Sequence, residues 1–205
     1  MALTIRPADI IKAKVIDFLI GKLDGVVIGD EVKYGSSRKV VDLLALYKEE
    51  TYAIEIKSAK DDLRRLPEQI SEYSKIFDHT LVFTTIDHLS KIKQVSKAKI
   101  SIFEFGADDM IEGTLLEKKN NVLKSEMLAT MNASFIRKSL NISNFKDSDD
   151  IRKKAMRYTK EEIHSLLYEY FMERCYLPYK LFIEERSIRT EVDDLILLSS
   201  RLNVE

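Results

Sequence analysis

Asp42, Glu55 and Lys57 lie in two runs of β-forming residues separated by a short polar interruption. The first run is Val40-Val41-Asp42-Leu43-Leu44-Ala45-Leu46-Tyr47 and the second is Thr51-Tyr52-Ala53-Ile54-Glu55-Ile56-Lys57. Both read as strands. Side chains two apart on a strand share a face, so Glu55 and Lys57 project together while Ile54 and Ile56 take the other side. A two-residue turn at Lys48-Glu49 pairs Tyr47 with Glu50 and, counted back along both strands, Asp42 with Glu55. A four-residue loop over 47–50 keeps that register, whereas an odd-length loop breaks it.

Two facing carboxylates have β-carbons about 5 Å apart and repel unless something offsets their charge. A divalent cation does so. Hard oxygen donors without histidine favour Mg²⁺, with Mn²⁺ as a substitute, held by one or two carboxylates plus water and a substrate phosphate. Lys57 then stands where it can hold a phosphate oxygen or orient an attacking water. The competing reading is a buried salt-bridge cluster that supports the sheet, although buried ion pairs add little net stability. The bare spacing, an aspartate, twelve residues and then Glu-x-Lys, is common by chance, so its context decides.

Several elements must position these residues. Ile10, Ile11, Val15, Phe18 and Leu19 recur at helical spacing over residues 8–22, with Asp9 near the start and Gly21 near the end. A first strand is expected at Val26-Val27-Ile28, followed by a loop through Gly35-Ser36-Ser37. After Lys57, Asp61 or Asp62 caps a helical stretch with Leu63, Leu66, Ile70, Tyr73 and Phe77 on one face, reaching about Asp78. Pro67 splits it into a short turn and a longer helix. A strand at residues 81–84, a helix from Asp87 to about Ser96, a strand at 100–105 and an edge strand over 111–117 complete the pattern. The order α-β-β-β-α-β-α-β implies an α/β fold with a mixed central sheet flanked by helices, its helix-linked strands parallel through right-handed crossovers.

Beyond about residue 120 the pattern is helical to the end. Thr159 and Glu162 have the form of a capping box ahead of Ile163, Leu166, Leu167, Tyr170 and Phe171, and a last helix is expected from Thr190 with Val192, Leu195, Ile196 and Leu198. We therefore divide the chain into a site-bearing domain over 1–118 and a helical extension over 119–205.

A chain of 205 residues, 45% hydrophobic and 33% charged with 6 Gly and 3 Pro, is expected to bury a core. Its single cysteine, Cys175, excludes an internal disulfide, and no Cys/His spacing resembles a zinc site. With no run near the roughly 20 apolar residues needed to span a bilayer, a cytoplasmic protein without membrane contact is expected. A net charge of −1 leaves nucleic-acid binding to local patches. One comprises Lys57, Lys60, Arg64 and Arg65, and another Arg152, Lys153, Lys154 and Arg157; solvated helix faces are the competing reading. His79, His88 and His164 are isolated from one another in the sequence and are assigned no chemistry.

The stretch Ile54-Glu55-Ile56-Lys57-Ser58, followed by Asp61-Asp62-Leu63-Arg64-Arg65-Leu66, Gln69, Tyr73 and Phe77-Asp78, resembles a small bacterial and phage family of the PD-(D/E)XK nuclease superfamily. The resemblance covers residues 8–118 and is densest over 54–78. It implies a restriction-endonuclease-like αβββαβ core and Mg²⁺-dependent hydrolysis of phosphodiester bonds in nucleic acid, above all DNA. By this resemblance Asp42 and Glu55 ligate the metal from the second and third strands, the Ile56 backbone carbonyl completes the protein ligands, and Lys57 is the catalytic lysine. Glu31 matches the acidic residue upstream, with an exposed loop carboxylate as its alternative. Gln69 and Tyr73 match helix residues that line the site, with core packing as theirs, since Tyr73 shares the apolar stripe of Ile70 and Phe77. Val41 stands where the motif's name has proline. Arg38 lies four residues before Asp42, where relatives carry an arginine one or two before it; it joins Lys60, Arg64 and Arg65 as a candidate substrate contact. The alternative is a non-catalytic nuclease-fold module that binds nucleic acid or a protein partner. The helical extension is expected to serve substrate choice, a homodimer or a protein partner.

Overall fold

Helix α1 (Pro7–Lys22) forms where Val15, Ile16 and Leu19 recur at helical spacing, and all three are buried. The chain is described here from a computed structural model that covers residues 7–95, 100–106 and 110–198. An antiparallel meander follows α1, made of β1 (Val27–Tyr34), β2 (Lys39–Tyr47) and β3 (Glu50–Lys57). Strand β1 continues past its expected end at Ile28, because Val32 and Tyr34 pair with Val41 and Lys39 and bury their side chains. The β2–β3 turn is the expected two-residue one. Lys48 and Glu49 take left-handed φ values of 49° and 61°, the geometry whose twist matches the flanking strands.

Beyond β3, Asp62 caps a 3₁₀ turn (Leu63–Arg65) by accepting the Arg64 N–H at 2.9 Å. Helix α2 (Leu66–Tyr73) then starts with Pro67 in its first turn, so proline divides this stretch as expected. The helix stops at Tyr73, and turns rather than helix lead to Asp78. Strand β4 (His79–Thr85), helix α3 (Ile86–Val95) and strand β5 (Ser101–Phe105) follow, with β3, β4 and β5 parallel. The expected helix end at Ser96 lies outside the described residues. Strand β6 (Ile111–Gly113) pairs antiparallel with β5. It is shorter than the expected 111–117, because the chain then leaves the ladder and the Leu116 N–H donates to the Ser101 hydroxyl at 2.9 Å. The fold is thus α/β, with six strands lying in chain order in one open, mixed sheet flanked by helices.

The helical part comprises α4 (Lys124–Thr130), α5 (Ala133–Ser139), α6 (Ser148–Ala155), α7 (Lys160–Glu185) and α8 (Leu195–Leu198). The capping box of Thr159 and Glu162 opens α7 as expected. The last helix begins at Leu195 rather than Thr190, whose N–H and hydroxyl instead bond the Asp17 carboxylate at 2.7–3.1 Å. Among the described residues no helix is long and apolar enough to cross a membrane.

Each face of the sheet carries a core. Val15, Ile16 and Leu19 of α1 pack with Ile28, Leu43, Ala45, Ile54 and Phe83. On the other face Val27, Leu44, Leu46, Ala53 and Tyr73 pack with Ile163, Phe171 and Cys175 of α7, so this core crosses residue 119. Gly29 permits the contact, since a Cβ there would come within 2.6 Å of Cys175 Sγ.

Candidate active site

The ladders open at Asp42. Pairing of β2 with β3 runs in the expected register as far as Leu43 with Ile54, which leaves Asp42 and Glu55 as the next positions. Pairing of β1 with β2 skips Glu31 opposite Asp42, and Glu31 has a left-handed φ of 49°. The side-chain alternation shifts there too. Val41 shares a core with Leu44 and Leu46, whereas strict alternation would place it with Leu43 on the other face. Such an interruption bends a strand and re-aims its side chains. Instead of a strand carbonyl, the Asp42 carboxylate accepts the Ile56 N–H, at 2.8 Å through Oδ2.

Glu55 is almost wholly buried and held by three donors. Lys57 Nζ and Gln69 Nε2 donate to Oε1 at 2.7 and 2.6 Å, and Tyr73 Oη donates to Oε2 at 2.5 Å. Gln69 and Tyr73 are four apart on α2 and so meet one partner from successive turns. The adjacent face of α2 is clasped as well, with Lys39 donating to Glu68 at 2.8 Å and Glu72 at 2.6 Å, and Tyr34 Oη donating to Glu72 at 3.1 Å. Burial, and then the charge of Glu55, hold the Tyr73 hydroxyl protonated far above the ordinary phenol range.

Burial, and next the charge of Glu55, push the Asp42 carboxyl up to about 7; the Ile56 N–H and the ammonium groups of Lys12 and Lys57 work against that rise. Lys12 of α1 forms a buried ion pair with Asp30 of β1 at 2.6 Å, with side chains only 8% and 9% exposed. Sequence reasoning missed this pair. The signal was present: Lys12 interrupts the α1 stripe that Val15, Ile16 and Leu19 continue.

The structure therefore brings Asp42, Glu55, Lys57, Gln69 and Tyr73 together. It does not gather Glu31 with them into a three-acid centre: among the described residues no three His, Cys, Asp or Glu side chains form a group that could hold an ion. Arg38 is placed elsewhere. Its guanidinium donates to the Thr130 carbonyl at 3.4 Å and to Asn132 Oδ1, tying the β1–β2 loop to the end of α4. Lys60, Arg64 and Arg65 are exposed on the segment between β3 and α2, where Arg64 Nε bonds Asp62 at 2.5 Å. In the second basic run, Arg152 donates to the Leu128 and Met131 carbonyls and Lys154 to the Asn144 carbonyl, so both serve packing. Two of the histidines pair with carboxylates away from the site, His79 with Glu50 at 2.6 Å and His164 with Asp78 at 2.8 Å.

No curated protein matches the chain. Among solved structures it is similar to the SPO1766 protein of unknown function from Silicibacter pomeroyi, with 17% identity and a TM-score of 0.45 over 68% of this chain and 92% of that one. It is also similar to SfsA of Pyrococcus furiosus in complex with Ca²⁺, with 14% identity and a TM-score of 0.34 over 55% of this chain and 64% of that one. The model of the bacteriophage P4 protein cII family matches residues 1–199, and the chain belongs to that family.

Proposed function

We propose that the protein is a divalent-metal-dependent nuclease of the PD-(D/E)XK type that hydrolyses phosphodiester bonds in DNA, with Mg²⁺ as its ion and Mn²⁺ as a substitute. One observation supports this reading above all, the meeting of Asp42 and Glu55 where the ladder opens, with Lys57 bonded to Glu55 at 2.7 Å. The donors fit a hard divalent ion in kind, being oxygens in a region of surplus negative charge. Three carboxylates (Asp30, Asp42 and Glu55) stand against two ammonium groups (Lys12 and Lys57), which leaves one negative charge when all are ionised. Asp42 and Glu55 would hold the ion together with the Ile56 carbonyl. When bound, it acidifies a water and neutralises charge on the phosphate.

The chain's own side chains then have separable tasks. The Ile56 N–H orients Asp42, and Tyr73 and Gln69 keep Glu55 in place when Lys57 turns from it toward a phosphate oxygen. Lys57 would bring its amine beside the reacting phosphate, where a positioned donor stabilises developing charge. A second reading, a nuclease-fold module that binds nucleic acid or a protein without cutting, draws on another observation. Glu55 already accepts three protein hydrogen bonds, and such a module has no need of an ion. Incubation with plasmid and single-stranded DNA in Mg²⁺, Mn²⁺ or EDTA separates the two. We expect cleavage with either metal and none in EDTA; DNA left intact under every condition but retained by the protein would favour the binding module.

A further inference from the structure

The hold on Glu55 is only as firm as the hold on α2. This helix has 8 residues, yet it supplies both Gln69 and Tyr73 to the carboxylate. A helix so short does not persist alone in water, so its place is set by what it packs against. Toward the sheet, Leu66 and Ile70 pack with Val82 and Ile92. Its other anchors come from the two strands that flank the β1–β2 loop. Tyr34, the last residue of β1, is only 3% exposed and donates through Oη to Glu72 Oε2 at 3.1 Å. Its ring meets those of Tyr73 and Phe77 edge-on, at 5.3 and 5.7 Å. Lys39, the first residue of β2, donates to Glu72 Oε1 at 2.6 Å. Glu72, next to Tyr73 in the chain, thus receives one strand on each of its oxygens.

The loop between those strands is itself anchored. The Gly35 N–H donates to Thr130 Oγ1 at 3.1 Å, and Arg38 donates to the Thr130 carbonyl at 3.4 Å. A continuous set of contacts therefore runs from the end of α4 through Tyr34 and Lys39 to Glu72, and along α2 to Glu55. The Tyr34 hydroxyl stands close enough to feel Glu55: burial first, then Glu72, and then the charge of Glu55 hold it protonated above the ordinary phenol range. Lys39 also reaches Glu68, one turn earlier on α2, at 2.8 Å. That side chain is 65% exposed against 28% for Glu72, and an ion pair so exposed contributes little.

We propose that Glu72 and Tyr34 are positioning residues of the active site, which fix α2 so that Tyr73 and Gln69 present their donors to Glu55 in the geometry that ion binding requires. The role rests on the metal-dependent nuclease reading and extends it to residues that touch neither ion nor substrate. Groups that orient a metal ligand from behind govern affinity and rate without contact of their own.

The experiment compares wild type with Tyr34→Phe, Glu72→Ala, Glu72→Gln and Glu68→Ala. Calorimetric titration with Mn²⁺ is made without DNA, and steady-state cleavage of labelled DNA is measured at saturating Mn²⁺. Tyr34→Phe and Glu72→Ala should each bind Mn²⁺ about 10-fold more weakly and lower kcat about 10-fold, with KM for DNA within about 2-fold of wild type. Glu72→Gln keeps an acceptor for the Tyr34 hydroxyl and should stay within about 3-fold of wild type. Glu68→Ala removes an ion pair with the same lysine yet should match wild type in both measurements. Urea unfolding separates position from stability. Lower unfolding midpoints with unchanged Mn²⁺ affinity and kcat in the folded variants would overturn the proposal, and so would equal losses in Glu68→Ala. Either result, with a wild type that binds Mn²⁺ and cuts DNA, leaves the nuclease reading standing. A wild type that neither binds Mn²⁺ nor cuts DNA would reject both.

Discussion

Exchanging Asp42 for asparagine separates the energetic cost of the site from its chemistry. Burial, and then the charge of Glu55, raise this carboxyl from an ordinary value of 3.8 to about 7. The gap corresponds to about 4 kcal/mol, which partial exposure and local relaxation reduce to about 2–3 kcal/mol. A carboxyl whose pKa is raised by folding binds its proton more tightly in the folded state. Its penalty is therefore absent below pH 3.8, grows as the pH rises, and is complete above about 7. Asparagine keeps an oxygen for the Ile56 N–H and carries no charge. In EDTA, Asp42→Asn should exceed wild type in stability by about 2–3 kcal/mol at pH 8 and by much less at pH 5, while cleavage is lost. Urea unfolding of both proteins at the two pH values measures this. If Asp42→Asn is the less stable protein at pH 8, the carboxylate is a net structural asset and the reasoning fails.

Glu55→Ala should behave in the opposite way, because it strands the Tyr73 hydroxyl and the Gln69 amide; we expect a loss of about 3 kcal/mol together with weaker Mn²⁺ binding by calorimetry. Lys57→Ala should keep Mn²⁺ affinity and cut about 10²-fold more slowly, and a parallel loss of metal would contradict its assigned task. Gly29→Ala should cost about 1–3 kcal/mol, because its new methyl meets Cys175 Sγ at 2.6 Å, and adding Cys175→Ala should recover part of the loss; an unchanged Tm for the single variant would refute the close contact. The hydrogen bond to Asp78 raises the His164 pKa against burial. Burial opposes ionisation of Asp78, yet His164 and Thr51 hold its carboxyl below the ordinary range. The histidine's share of stability is full below its ordinary 6.5 and is lost as the pH rises through the raised value, whereas the aspartate's is present above 3.8 and is lost in acid. Between those limits the pair stabilises most, so His164→Gln should flatten the alkaline side of a Tm–pH curve.

What the sequence disclosed follows from how local the governing interactions are. The hairpin register was legible because a two-residue turn and two apolar runs settle it together, and the β2–β3 pairs agree with it. The Thr159 and Glu162 cap was legible for the same reason. The left-handed residue opposite Asp42 was not. Glutamate has no preference for that conformation, and Glu31 adopts it only between strands that other pairs already hold. Lys12 and Asp30 meet across the sheet face, so neither residue alone announces the ion pair. Arg38 shows the converse error, since its position near Asp42 in sequence gave no hint that the Thr130 carbonyl and Asn132 would claim its guanidinium.

The core that crosses residue 119 has a consequence for the order in which the molecule is made. The hairpin bearing Asp42 and Glu55 is complete at Lys57, yet its apolar underside is covered by Phe171 and Cys175 from a helix that ends at Glu185. A chain emerging from the ribosome amino end first holds this underside open through most of its synthesis, and contacts between such distant segments are slow to form. During that interval the nascent hairpin is open to chaperones and to other nascent chains. The partners of its carboxylates, Lys57, Gln69 and Tyr73, are all made early, yet the sheet that carries them is closed on this face only when the last long helix arrives.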